Sequence, residues 1–205
     1  MSQDRRLLLF IIENILSNMP YFSAGRTPMT RRVMFFIDGG YLRETLKEMK
    51  GDESFALYKF PLTFTHEFVS GSFSPELIRT YYYDAICEPD DPSYKEKKAY
   101  FDALNSYENV EVKLGYLIKT KNGFRQKGID ILIAIDVLTK AYQDHYDYAI
   151  LFCGDRDFLP LVQEVKDSTG KKIYGIMFDE HYSEALKNEF DRCKIITDKD
   201  LHKIR

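Results

Sequence analysis

Cysteine and histidine are scarce in this chain, and the way they are spread argues against two classes of protein. The three cysteines, Cys87, Cys153 and Cys193, lie far apart and form no C-x-x-C pair. An odd, scattered set fits neither a disulfide framework nor a zinc site built on thiolates. It fits the reducing cytoplasm. The four histidines, His66, His145, His181 and His202, have no ligand spacing. They read as surface or hydrogen-bonded core residues. An excess of one charge is also missing, since the formal net charge is −3. Any nucleic-acid partner must then be held by a local patch rather than a global field. No apolar run is long enough to span a bilayer. "RRLLLFIIENIL" is interrupted at Glu13 and Asn14. It lacks a small-residue cleavage site and a long basic face, so neither a signal peptide nor a membrane contact is expected. No G-x-G-x-x-G follows the first expected strand and no P-loop occurs, which argues against nucleotide-cradle readings.

What remains is a chain of 205 residues with a 44% apolar fraction, enough for one domain with a real core. Residues 1–30 read as an N-terminal extension, and residues 31–205 as the domain. Within the extension, residues 7–18 read as a short, largely apolar helix expected to dock on a neighbouring element or on another copy, the latter a route to a homo-oligomer. Met29 or Met34 is an alternative start.

Inside the domain, Val33–Ile37 is a continuous apolar run, as a strand buried on both faces requires. Residues 41–50 follow as a helix stopped at Gly51. Residues 52–74 read as an inserted strand or loop. "IRTYYYDAI" is a strand, and "DDPSYKEKKAYFDALNS" a helix with Asp91 or Ser93 near its start. "VEVKLGYLIKT" is a strand, and Asn122-Gly123 favours a hairpin turn after it. Gly128 opens the helix "IDILIAIDVLTKAYQ". Tyr148–Cys153 is a strand and "DFLPLVQEVKDST" a helix ending at Gly170. "KKIYGIMF", the short helix "EALKNEF" and an edge strand "CKIITD" complete the order. Strands alternating with helices predict an α/β fold with a mostly parallel sheet covered on both faces.

Ligands of such sheets sit outside the carboxyl ends of the strands. Asp38 and Asp155 each end a strand beside glycine. Asp130, in the first turn of the helix opened by Gly128, faces the same edge, and so does Asp157. Asp136 lies six residues beyond Asp130, turned about 120° away on a helix, and is at most a supporting group. Two like charges about 4 Å apart cost roughly 4 kcal/mol at a surface-like dielectric. Protons could offset this. At neutral pH a hard divalent cation, Mg²⁺ or Mn²⁺, does so better. Such a site points to phosphoryl chemistry, a metal-activated water attacking a phosphodiester. Plainer readings exist for each acid alone: Asp157 as a helix cap, Asp38 as a turn residue. It is the conjunction that carries the expectation.

Lys119, Lys121, Arg125 and Lys127 fall on the hairpin just before Asp130, where they could hold a sugar-phosphate backbone. A charged hairpin guarding a sheet edge is the equal alternative. Lys127 is the preferred phosphate contact. Arg156 contacts phosphate or pairs with a neighbouring acid. Tyr41 and Gly154 complete the expected substrate-binding set. Tyr81, Tyr82 and Tyr83 offer stacking faces to bases, with at least one turned into the sheet.

The segments "FFIDGGYL", "KGIDILIAIDVL", "YAILFCGDRDFLPLV" and "GKKIYGI" resemble, in order and spacing, the motifs of the NYN family, its LabA-like branch, within the PIN-like nuclease superfamily. The resemblance runs from about Val33 to about Thr197. The family's usual last motif reads S-G-D-S-D-F. Here Cys153 and Arg156 stand at the two serine positions, while Gly154, Asp155, Asp157 and Phe158 are kept. The resemblance implies a PIN-like three-layer α/β/α fold and an acidic pocket of Asp38, Asp130, Asp155 and Asp157. It also implies RNA cleavage dependent on Mg²⁺ or Mn²⁺. A non-catalytic RNA-binding module on the same fold is the alternative, since fold does not establish activity. A D-x-D nucleotide-sugar transferase leaves Asp38 and Asp130 without a role.

Overall fold

The computed structural model describes residues 29–50, 54–69, 73–120 and 123–205. The expected helix over 7–18 therefore lies outside the described residues. The chain runs β1 (Met29–Asp38), α1 (Gly39–Lys50), α2 (Phe60–Phe68), β2 (Phe73–Ile86), α3 (Tyr94–Asn105), β3 (Val110–Thr120) and β4 (Gly123–Lys127). It continues with α4 (Ile129–Tyr142), β5 (Tyr148–Phe152), a 3-10 turn (Arg156–Phe158) and α5 (Leu159–Glu164). Next come β6 (Lys172–Phe178), α6 (Glu184–Glu189), β7 (Arg192–Ile196) and a last 3-10 turn (Asp198–Lys203).

The seven strands form one sheet in the order β4-β3-β2-β1-β5-β6-β7. Every pairing is parallel except β3 with β4, which is an antiparallel hairpin. After β1 the chain builds outward through β2 and β3, then returns to lay β5 on the other side of β1. The reversal makes the carboxyl ends of β1 and β5 a topological switch point, where the connections diverge and leave a crevice.

Alternation along β1 sends side chains to two cores. Met34 and Phe36 join Tyr81, Tyr83, Ile133, Val137 and Leu161 on one face. Val33, Phe35 and Ile37 join Tyr82, Leu42, Phe60 and Phe64 on the other. The sheet is therefore the middle layer of an α/β/α sandwich, as the alternation of elements predicts. No helix among the described residues is long and apolar enough to cross a membrane.

Three expectations are corrected. The segment 52–74 is neither strand nor loop through its middle, because α2 is a helix with Pro61 in its first turn. Phe60, Phe64 and Phe68, spaced by four, line one face and are buried. The stretch 157–169 is not one helix. It passes from the 3-10 turn to α5 and then to a π-helical turn at Val165–Thr169, closed by Gly170 in the left-handed region. None of the three tyrosines offers a face to a base, since Tyr81 is 6% exposed and Tyr82 and Tyr83 are 0% exposed. Their sheet is covered on both sides, so alternation leaves no solvent face. At the hairpin, Gly123 is already in the ladder opposite Thr120, and Lys121 and Asn122 lie outside the described residues.

Candidate functional site

Asp38 is the last residue of β1, paired across to Tyr83 of β2. Its Oδ1 accepts the backbone N–H of Tyr41 at 3.0 Å, so the carboxylate also starts α1. Gly39 follows because no side chain fits there, as a Cβ would stand 2.4 Å from Cζ of Tyr82. Burial pushes the Asp38 carboxyl up to about 7. The Tyr41 N–H opposes that rise, while Asp130, Asp84 and Glu44 add to it.

Asp130 sits in the first turn of α4, behind Gly128 at φ +85°. Its carboxyl is raised by burial, then by the charges of Asp155 and Asp157. Asp155 caps the 3-10 turn, accepting the Asp157 N–H at 2.9 Å. The capping acid is thus Asp155 rather than Asp157. Asp130 is the electrical hub of the set, felt by Asp38 on one side and feeling Asp155 and Asp157 on the other. The donors are all carboxylate oxygens, and their mutual repulsion is the kind a hard cation relieves. Among the described residues, no three His, Cys, Asp or Glu side chains are gathered tightly enough to hold an ion. The four acids are coupled but not closed around one point.

Asp136 is not brought to this edge. It accepts Tyr83 Oη at 2.7 Å and pairs with Lys113 at 2.6 Å and Lys140 at 2.9 Å. Those cations also lie over the Tyr81 ring. Asp136 is a structural anion on the α4 side of the sheet.

The expected substrate contacts divide. Tyr41 is committed to the fold: its hydroxyl donates to the His181 carbonyl and accepts from the Phe178 N–H, each at 2.8 Å. Gly154 serves close packing, since a Cβ there would stand 2.3 Å from the His181 carbonyl oxygen and 2.6 Å from the Tyr41 ring. Neither presents a polar side-chain group to a substrate. Lys127 is exposed at the end of β4, and Arg156 is exposed between the two acids of the turn. Lys121 and the side chains of Lys119 and Arg125 lie outside the described residues.

One buried pair escaped the sequence reading. Asp84, at 0% exposure, receives Arg43 through two bonds, Nε to Oδ2 at 2.8 Å and Nη2 to Oδ1 at 2.9 Å. Tyr82 Oη donates to Oδ2 at 3.0 Å and the Ala85 N–H to Oδ1 at 2.7 Å. Asp84 ends the apolar run "YYYDAI" much as Asp38 ends its own, so the signal was present. Arg43 follows Asp38 by five residues, on α1. The pair ties α1 to β2, near enough to Asp38 for the Asp84 charge to add to the rise of its carboxyl. In front of it opens a cleft of about 1120 Å³ whose walls include Asp38, Asp155, Arg43, Glu44, Lys97 and Gln126. A cleft that size has room for a ligand larger than an ion.

A family model described as NYN domain matches residues 32–197. The chain belongs to the NYN domain family. That family lies within the PIN-like nuclease superfamily, in agreement with the layered fold around β1 and β5. The NYN domain here is also similar to the crystal structure of a protein of unknown function from Vibrio parahaemolyticus. The TM-score is 0.62 at 20% identity, covering 85% of this chain and 98% of that one. At that identity the likeness speaks for the fold alone. No curated protein matches the chain.

Proposed function

We propose that this NYN domain, of the LabA-like branch, is a ribonuclease dependent on Mg²⁺ or Mn²⁺. Asp38, Asp130, Asp155 and Asp157 would hold the cation. The observation that carries the reading is Asp38, whose carboxyl is pushed up to about 7 at the end of a central strand. A carboxylate kept where ionisation is unfavourable is a marker of a working site. A bound divalent ion supplies an activated water and neutralises charge on the leaving oxygen.

The chain's own groups do the rest. Asp38 holds a proton near neutrality and releases it when positive charge arrives. The Tyr41 N–H fixes which way its carboxylate points. Lys127 and Arg156, both exposed, would bind the phosphate backbone, with Arg125 an expected further contact. The hydroxyl of Tyr41, already bonded twice, keeps α1 against β6 and takes no proton.

The second reading is an RNA-binding module without turnover. The unclosed arrangement of the acids favours it. One experiment separates the two. Purified protein and an Asp155→Asn variant are incubated with labelled RNA, with and without Mn²⁺. Asparagine retains the cap that Asp155 makes, because its side-chain oxygen still accepts the Asp157 N–H. Manganese-dependent cleavage that the variant loses by 10²-fold or more is the expected result. RNA retained without product, equally by both proteins, assigns the chain to the binding reading.

A further inference from the structure

The cleft in front of Asp38 has a wall that the four acids do not account for. Glu96, Lys97 and Tyr100 of α3 line it, with Ser93 just before the helix. Their spacing along the chain puts them on one side of the helix. The next residue, Phe101, turns into the core at 5% exposure. It meets the Tyr100 ring at 5.3 Å between centroids and 62° between planes. Tyr100 itself is 40% exposed. A ring backed by the core at its edge and open on a cleft is a stacking surface. It is the surface that Tyr81, Tyr82 and Tyr83, covered on both sides of the sheet, do not offer.

Another part of the wall carries an amide. Gln126 of β4 stands across from Leu117 of β3, and both line the cleft. The Gln126 side chain is laid over the start of α1, since a Cβ on Gly40 would stand 2.6 Å from its Nε2 and 2.9 Å from its Oε1. Gly40 follows Asp38 by two residues, so the amide is held beside the acidic edge. Among the described residues it makes no hydrogen bond. An amide offers two donors and an acceptor, the combination that reads the edge of a base.

Charge decides which part of a substrate enters. Besides Asp38 and Asp155, the cleft carries Glu44 and Glu96 against Arg43 and Lys97. Arg43 is bonded twice to Asp84. With a cation on the acidic edge, Glu44 and Glu96 still outweigh Lys97. A further phosphate is repelled from such a wall and an uncharged ring is not.

We propose that the cleft seats one unpaired nucleobase of the RNA, stacked on Tyr100 and with its edge read by Gln126, while the phosphates stay at the rim. The seat rests on the RNA reading given above, with or without turnover. Stacking accepts any base, and the amide supplies the preference among them. At about 1120 Å³ the cleft has room for a nucleotide.

The test measures binding by the full chain in the Asp155→Asn background with Mn²⁺, so that cleavage does not intrude. The probes are a short single-stranded RNA and an abasic ribose-phosphate chain of the same length and charge. The background protein is expected to bind the RNA about tenfold more tightly than the abasic chain. Tyr100→Ala should erase most of that preference and leave the abasic affinity where it was. Tyr100→Phe should keep the preference, because a phenyl ring stacks as a phenol does. Gln126→Ala should flatten the ranking of oligoadenylate, oligocytidylate and oligouridylate several-fold. Equal affinity for the two chains, a preference that survives Tyr100→Ala, or a ranking untouched by Gln126→Ala overturns the seat and leaves the RNA reading standing. An equal loss on both chains makes Tyr100 a residue of the fold and overturns the seat as well. Binding of neither chain rejects the RNA reading itself, and the seat with it.

Discussion

Asp38 starts a helix with one oxygen and sits half-buried among other acids. Its ordinary value of 3.8 rises to about 7 in the folded chain. The folded state thus binds this proton more tightly than the unfolded state does. Stability must fall as pH rises from about 4 to about 7 and then level off, because above that range both states are ionised. Asp38→Asn removes the slope while keeping an oxygen for the Tyr41 N–H. With metal chelated, the variant is expected to exceed the parent at pH 8 by on the order of 2–4 kcal/mol. At pH 4 the two should nearly coincide. Urea midpoints at both pH values check this, and an advantage confined to pH 4 would reverse the sign of the argument.

At the scale of elements, the hairpin β3–β4 and helix α2 teach different things. Lys127 ends β4 one residue before Gly128 and three before Asp130, which makes it the proposed phosphate contact to test first. Lys127→Ala should weaken RNA binding and lower the salt slope of log Kd by about 1, since one phosphate contact is lost. Titrations at several salt concentrations measure it, and an unchanged slope returns the hairpin to edge protection. The strands and most helices were legible because each is a continuous apolar run or a periodic one bounded by glycine. Helix α2 was not, because its Phe and Thr content reads as strand. Only the spacing of Phe60, Phe64 and Phe68 betrays it, and that spacing gains meaning once a sheet is there to receive it. The three tyrosines failed for a related reason: alternation assigns a face but cannot say whether the face is covered.

For the whole molecule, strand order does most of the placing. Asp38, Asp130 and Asp155 lie more than 110 residues apart at the extremes of the sequence. Parallel strands with helical returns put all of them on one edge, so that edge was legible without contacts. The Asp84–Arg43 pair was not, because a strand-ending acid looks the same in sequence whether it meets solvent or is buried against a guanidinium. If the edge holds a cation, Mn²⁺ should raise the melting temperature of the whole domain at pH 7, as any ligand of the folded state does. Calorimetry with the parent and with Asp38→Asn tests this, with a rise expected in the first and little in the second. Equal rises place the ion elsewhere.

The Arg43–Asp84 bond also constrains how this sequence can change. Loss of Arg43 strands the buried Asp84 carboxylate, at a cost of about 3–5 kcal/mol, and loss of Asp84 leaves Arg43 without its partner at the cleft wall. A joint replacement by two apolar residues of similar bulk escapes that penalty. Lineages that diverge from this chain should therefore alter positions 43 and 84 together or leave both untouched, so the two codons drift as a unit though forty residues of independent sequence lie between them.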